Sequence, residues 1–175
     1  DQLQHIEMTR DVASRVHAKV GDVFVIPEAK VQKENMLIPG TDGQKMSKSK
    51  GNIIDLFQTD KALRKQIMSI QTDSTALEAA KDWSTCNSFA IYSLLASDAQ
   101  VAKMKQNYEG GGYGYGHAKQ ALFELICEQF SEQRERYAYY MENLEEIDQA
   151  LKVGAEKAAK TANTVLERVR EKIGY

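Results

Sequence analysis

From Leu144 onward, apolar residues recur by threes and fours: Leu144, Ile147, Leu151, Ala155, Ala158, Ala162, Val165, Val169 and Ile173. That spacing follows one face of an α-helix and is incompatible with the two-residue period of a strand. Sustained over about eight turns, it commits the end of the chain to one long helix. Just upstream, Leu122, Ile126, Phe130, Tyr137 and Met141 mark one face of another long helix. Residues 110–116 hold five glycines in seven positions, too much backbone entropy for a helix to overcome, so the chain must break there.

Earlier segments give shorter helical readings. Leu3, Ile6, Val12 and Val16 predict a helix over 3–19, ended by Gly21. Asn52 is placed as the N-cap of a short helix through Phe57, and Asp60 of one through Ile70. Residues 85–96 and 98–107 give two more, the second capped by Ser97 or Asp98. Val23-Phe24-Val25-Ile26, closed by Pro27, predicts a buried strand of a parallel sheet, and Met36-Leu37-Ile38 a second short strand. Between Glu28 and Gly51 the remainder is loop.

That loop carries Lys45-Met46-Ser47-Lys48-Ser49 within Thr41–Asn52. Two ammonium groups three residues apart, among hydroxyls and glycines, suit a highly charged anion that must be gripped and released, as a nucleoside triphosphate is. A lysine's point charge on a flexible stem follows a moving phosphate better than an arginine fork does. Read from these residues alone, a solvated basic loop is the alternative. A P-loop is excluded, because Gly40 and Gly43 do not give the Gly-x-x-x-x-Gly-Lys-Ser/Thr order.

Composition narrows the classes. At 175 residues, 42% hydrophobic, the chain has enough apolar material for a core. A formal charge of −2 argues against non-specific binding to nucleic acid by electrostatics alone, though not against a local patch. Cys86 and Cys127 are read as small buried hydrophobes in a reducing compartment. No apolar run approaches the roughly 18 residues that span a bilayer, so a soluble, cytoplasmic protein with no membrane partner is expected. His5 and His17 stand apart from other ligand types, and no protein metal site is expected.

The lysine run resembles the KMSKS signature loop of class I aminoacyl-tRNA synthetases. The neighbouring residues extend the resemblance to nearly the whole chain. Asp1-Gln2, with Gln4-His5-Ile6-Glu7 and Thr9-Arg10-Asp11, is similar to the Asp-Gln segment that heads a helix in the tryptophan and tyrosine enzymes. Phe24–Glu28 resembles the strand and turn that follow, Pro39–Gly43 the approach to the lysine loop, and Thr72-Asp73-Ser74 the entry to the helical domain. Tyr108-Glu-Gly-Gly-Gly-Tyr-Gly114 resembles a run of the tryptophan enzymes and favours them over the tyrosine ones. Gly154–Ala158 resembles their last helix.

The resemblance implies a mostly α chain: the tail end of an α/β Rossmann-like nucleotide-binding domain over 1–52, then an all-helical anticodon-binding bundle over 53–175. It implies ATP-dependent activation of L-tryptophan and transfer to tRNA-Trp by a homodimer, with Mg²⁺ carried on ATP. Nothing here resembles the family's His-Ile-Gly-His element, so the chain is expected to be the C-terminal part of a longer enzyme, inactive by itself. Lys45 and Lys48 would act in catalysis by meeting the charge of departing pyrophosphate. Met46, Ser47 and Ser49 would complete the ATP contact, Gly51 would let the loop close, and Lys50 would have a lesser role. Asp1 would meet the ribose, Gln2 the amino acid's polar end, and the Met36 backbone the adenine, with a register slip to Leu37 open. Asp1 as a helix N-cap and Gln2 as an ordinary first-turn residue are the plainer alternatives. The tyrosines of the glycine run are expected to pack between helices rather than stack on RNA bases. The cations of the last helix, Lys152, Lys157, Lys160, Arg168 and Arg170, read as its solvated face. The rival readings are a tyrosine-specific enzyme and a non-catalytic helical module that binds RNA or protein.

Overall fold

The computed structural model describes residues 2–30 and 37–175. Among these residues there are seven α-helices and no strand: α1 (Leu3–Val20), α2 (Asp60–Met68), α3 (Asn87–Leu95), α4 (Asp98–Glu109), α5 (Tyr115–Gln129), α6 (Ser131–Glu142) and α7 (Leu144–Ile173). The chain is mostly α. It packs as two compact units, Asp1–Met36 with Tyr140–Tyr175, and Leu37–Tyr139.

In the first unit, α1 ends where expected, with the Gly21 N–H donating to the His17 carbonyl at 2.9 Å. Residues 23–26 are not a strand. A parallel strand needs neighbouring strands for its backbone groups, and none lies among the described residues. Side chains hold this segment instead. His17 Nε2 accepts from the Phe24 N–H at 3.0 Å, Arg10 donates to the Pro27 carbonyl at 2.6 Å, and Arg168 Nε donates to the Val23 carbonyl at 2.8 Å. Arg168 is therefore not only a solvated cation. Val23 is buried and Val25 is 90% exposed. The long α7 forms in one piece and closes at Gly174 in the left-handed conformation.

The second unit holds the main core: Leu63 and Ile67 of α2, Ile70, Phe89, Ile91 and Tyr92 of α3, Met104 and Tyr108 of α4, and Leu122 and Ile126 of α5. Its helices are capped by local chemistry. The Thr59 hydroxyl, not Asp60, accepts from the Ala62 N–H and caps α2. Ser97 and Gln100 form a reciprocal capping box on α4. His117 Nδ1 reaches back to the Gly114 N–H at 3.2 Å at the start of α5. The helix read as continuous through Phe130 is two, α5 and α6. Phe130 packs on the core, and the Ser131 hydroxyl takes the Glu128 carbonyl at 3.1 Å, so the ladder is interrupted there.

The tyrosines of the glycine run pack as expected. Tyr108 has no exposed surface, and the rings of Tyr113 and Tyr115 lie 6.0 and 6.1 Å from it. Burial, with hydrogen bonding to Cys86, raises the Tyr108 pKa well above the usual phenol range. Gly111 (φ +70°) sits where a Cβ would fall 2.4 Å from the Glu78 carbonyl oxygen, so only glycine fits without movement.

Candidate functional site: a lysine loop braced by a buried asparagine

The lysine loop lies wholly in the second unit. Its base is a narrow antiparallel turn, with an isolated bridge between Pro39 and Lys45. The Met46 N–H donates to the Ile38 carbonyl at 2.9 Å, and the Gly40 N–H to the Gln44 carbonyl at 2.7 Å. Gly43 (φ +77°) turns the chain in the left-handed region, with its Cα face against Asn87. Lys48–Lys50 form one 3-10 turn, ended by Gly51.

One side chain ties this loop together. Asn52 is 3% exposed. Its Oδ1 accepts from the Ser47 N–H at 2.8 Å, and its Nδ2 donates to the Lys45 carbonyl at 3.1 Å and to Asp42 Oδ1 at 2.7 Å. Its backbone carbonyl accepts from the Thr41 N–H at 2.9 Å. Asn52 caps no helix, and residues 53–57 are not helical. The amide is consumed inside the loop and cannot also cap a helix outside it.

Asp42 answers the amide with a carboxylate that also accepts from the Gln44 N–H at 3.0 Å. The Asn52 hydrogen bond is the chief cause that holds its carboxyl below the usual range, against a smaller opposing effect of burial. The loop thus carries three lysines and one committed anion, and remains net cationic. Lys45 and Lys48 are exposed. Lys50 Nζ donates to Gln44 Oε1 at 2.9 Å, and the Ser47 and Ser49 hydroxyls lie 2.8 Å apart.

The loop is seated on the helices at both ends. The Gln71 N–H donates to the Thr41 carbonyl at 2.7 Å, and Asn87 Nδ2 to the Gln71 carbonyl at 3.3 Å. Downstream, Arg134 of α6 donates to the carbonyls of Leu56 and Gln58 and pairs with Asp60. The Tyr137 ring stacks on Phe57 at 4.8 Å.

Of the residues expected at the site, Lys45, Met46, Ser47, Lys48 and Ser49 form one contiguous exposed or half-buried surface. Gln2 lies in the other compact unit, where its carbonyl accepts from the His5 and Ile6 N–H groups at the start of α1. The expectations for Asp1 and Met36, and that for a strand beginning at Met36, fall outside the described residues. Sequence reasoning gave Asp42 and Gly40 no part in holding the loop's geometry and took Asn52 for a helix cap. The available signal was an Asx-rich, glycine-rich stretch flanking the lysines, a pattern that favours side-chain-to-backbone bonding. Among the described residues no cluster of three or more His, Cys, Asp or Glu could hold a metal ion. No helix among them is long and apolar enough to cross a membrane.

The family model for class I tRNA synthetases of the W and Y branch matches residues 1–131. The chain belongs to that family. The Tryptophan--tRNA ligase of Campylobacter jejuni (strain RM1221) is 45% identical over 174 residues, 99% of this chain and 54% of the relative. That of Rhodopirellula baltica is 41% identical over 99% of this chain and 54% of its own length. The crystal structure of the C. jejuni synthetase complexed with ADP and tryptophane superimposes with a TM-score of 0.85 at 45% identity, covering 99% of this chain and 55% of that one. The chain thus spans about half the length of the relatives it matches. Within this synthetase family the cationic loop gains a chemical context, because Lys45 and Lys48 are exposed on a turn whose backbone is held by Asn52.

Proposed function

We propose that this chain is the C-terminal part of a tryptophan–tRNA ligase, residues 1–52 closing the Rossmann-like catalytic domain and 53–175 forming the helical anticodon-binding domain. The whole enzyme, a cytoplasmic homodimer, joins L-tryptophan to ATP as the adenylate, releases pyrophosphate, and passes the aminoacyl group to tRNA-Trp. The observation that carries this reading is the whole-chain likeness to a synthetase that was crystallised with ADP and tryptophane.

The chemistry follows from the loop. As the amino-acid carboxylate attacks the α-phosphorus, charge grows on the departing pyrophosphate. Groups that meet that charge more strongly in the transition state than before it raise the rate. Lys45 and Lys48 supply the two ammoniums, and Met46, Ser47 and Ser49 complete the wall against the triphosphate. Mg²⁺ enters with ATP as part of the substrate. Asp1 would accept from the ribose hydroxyls, the Met36 backbone would meet the adenine edge, and Gln2 would hold the amino acid's charged end.

The test is tryptophan-dependent exchange of pyrophosphate into ATP by the full-length enzyme, with tyrosine as the competing amino acid. Loss of one well-aimed donor costs about 2–4 kcal/mol, so Lys45→Ala and Lys48→Ala should each slow adenylate formation by about 30–1,000-fold. Losses below about threefold would take the lysines out of catalysis. Equal exchange with tyrosine would overturn the tryptophan assignment.

A further inference from the structure

Resting on that reading, we propose that Asn52 is a positioning residue for adenylate formation, one that acts by holding the loop backbone on both sides of Met46. The two peptide groups it binds are the Lys45 carbonyl and the Ser47 N–H. These flank a single residue, so one planar amide fixes the direction in which the backbone leaves Lys45 and enters Lys48. The third contact, to Asp42, locks the amide's rotation, and Asp42 is itself held by the Gln44 N–H. Gly40 presses from behind: a Cβ there would lie 2.4 Å from Asn52 Nδ2 and 2.7 Å from its carbonyl oxygen.

The residue type is demanded by the donor count. The position needs one acceptor and two donors within the reach of one short side chain, and only an asparagine amide provides them there. Aspartate would keep the acceptor but lose both donors, and it would set a second carboxylate against Asp42. A hydrophobic isostere would strand the Ser47 N–H and the Lys45 carbonyl together. A loop that must close on a mobile triphosphate gains from arriving with its backbone already set, because a displacement of about 1 Å can cost about 10²-fold in rate.

The experiment is a double-mutant cycle in the full-length enzyme, read by tryptophan-dependent pyrophosphate exchange and by tryptophan affinity without ATP. Asn52→Ala should lower kcat/KM for ATP by about 10²-fold while leaving tryptophan affinity within about twofold of the parent. If Asn52 acts through the lysines, Asn52→Ala/Lys45→Ala should lose no more than about threefold beyond the worse single variant. Gly40→Ala, which displaces Asn52 from the opposite side, should reproduce the pattern and carries the test should Asn52→Ala fail to fold. Losses that multiply fully in the double variant would overturn the proposal. So would crippling losses in Lys45→Ala alongside near-parental activity in Asn52→Ala and Gly40→Ala. Silence of both lysine variants would instead remove the nucleotide reading on which the proposal rests.

Discussion

Replacing Lys81 with methionine would expose how far the helical unit depends on one buried ammonium. Lys81 is 4% exposed. Its Nζ donates to the carbonyls of Ala76, Leu77 and Ala79 at 2.9, 3.1 and 3.1 Å. An ammonium has three N–H donors, and here each has a partner. The charge also lies 5.5 Å from the centroid of the Tyr115 ring. Its contacts gather the turn on which Gly111 and Gly112 rest, since the Gly112 N–H donates to the Leu77 carbonyl at 3.0 Å. Methionine keeps the apolar stem and removes the charge and all three donors. Hydrogen bonds to charged groups contribute about 1.5–3 kcal/mol each, so three give roughly 4.5–9 kcal/mol gross. Against this stands the desolvation of the ammonium, several kcal/mol, which the substitution relieves. The difference leaves about 2–4 kcal/mol of destabilisation, within the range of severe single substitutions. At about 2–4 °C per kcal/mol for a chain of this size, the melting temperature should fall by roughly 4–16 °C. Thermal unfolding followed by far-ultraviolet circular dichroism measures it. Lys81→Arg should fall between the two, because a planar fork cannot aim at the same three carbonyls. A Lys81→Met protein melting within about 2 °C of the parent would refute the reasoning.

Two further outcomes are expected. Gly112 (φ +71°) leaves open space, with no atom within 4 Å of where a Cβ would stand, so Gly112→Ala should cost only the left-handed backbone penalty, about 1–2 kcal/mol. Gly111→Ala adds a collision with the Glu78 oxygen and should cost about 1–3 kcal/mol more by urea denaturation, with equal losses refuting the assignment. Asp73 is held below its ordinary pKa of 3.8 chiefly by hydrogen bonding from Thr75, hydroxyl and then N–H, and next by the Tyr115 hydroxyl. A depressed carboxyl stabilises the fold above its unfolded pKa, and that stabilisation is lost as pH falls below 3.8 through the folded value. The stability gap between parent and Asp73→Asn should therefore narrow across that acid window; a gap independent of pH would show that the carboxylate's charge contributes nothing.

The helical half was legible because periodicity is a local property. The three-and-four spacing of α7 and the glycine break before α5 dictate where helices run, whatever surrounds them. The lysine loop was equally legible, since no core could absorb its polarity. Local rules failed where a polar or aromatic residue had more than one possible partner. Asn52 reads as a helix cap in one dimension, yet the fold brings Asp42, Lys45 and Ser47 around its amide, and a side chain can satisfy only one set of partners at a time. Phe130 fits a continuous helical face, but its docking on the core interrupts the ladder into two helices.

The sequence by itself determined the mostly helical class, the positions of most of the helices and the presence of a cationic loop, because each is written in the spacing and type of neighbouring residues. Tertiary structure alone decided that residues 23–27 are fastened by His17, Arg10 and Arg168 rather than by strands, that Lys81 is enclosed, and that one asparagine braces the backbone of the lysine loop. Those outcomes depend on which hydrogen-bonding groups meet after the chain has folded, and buried polar groups take whichever partners the packing leaves within reach.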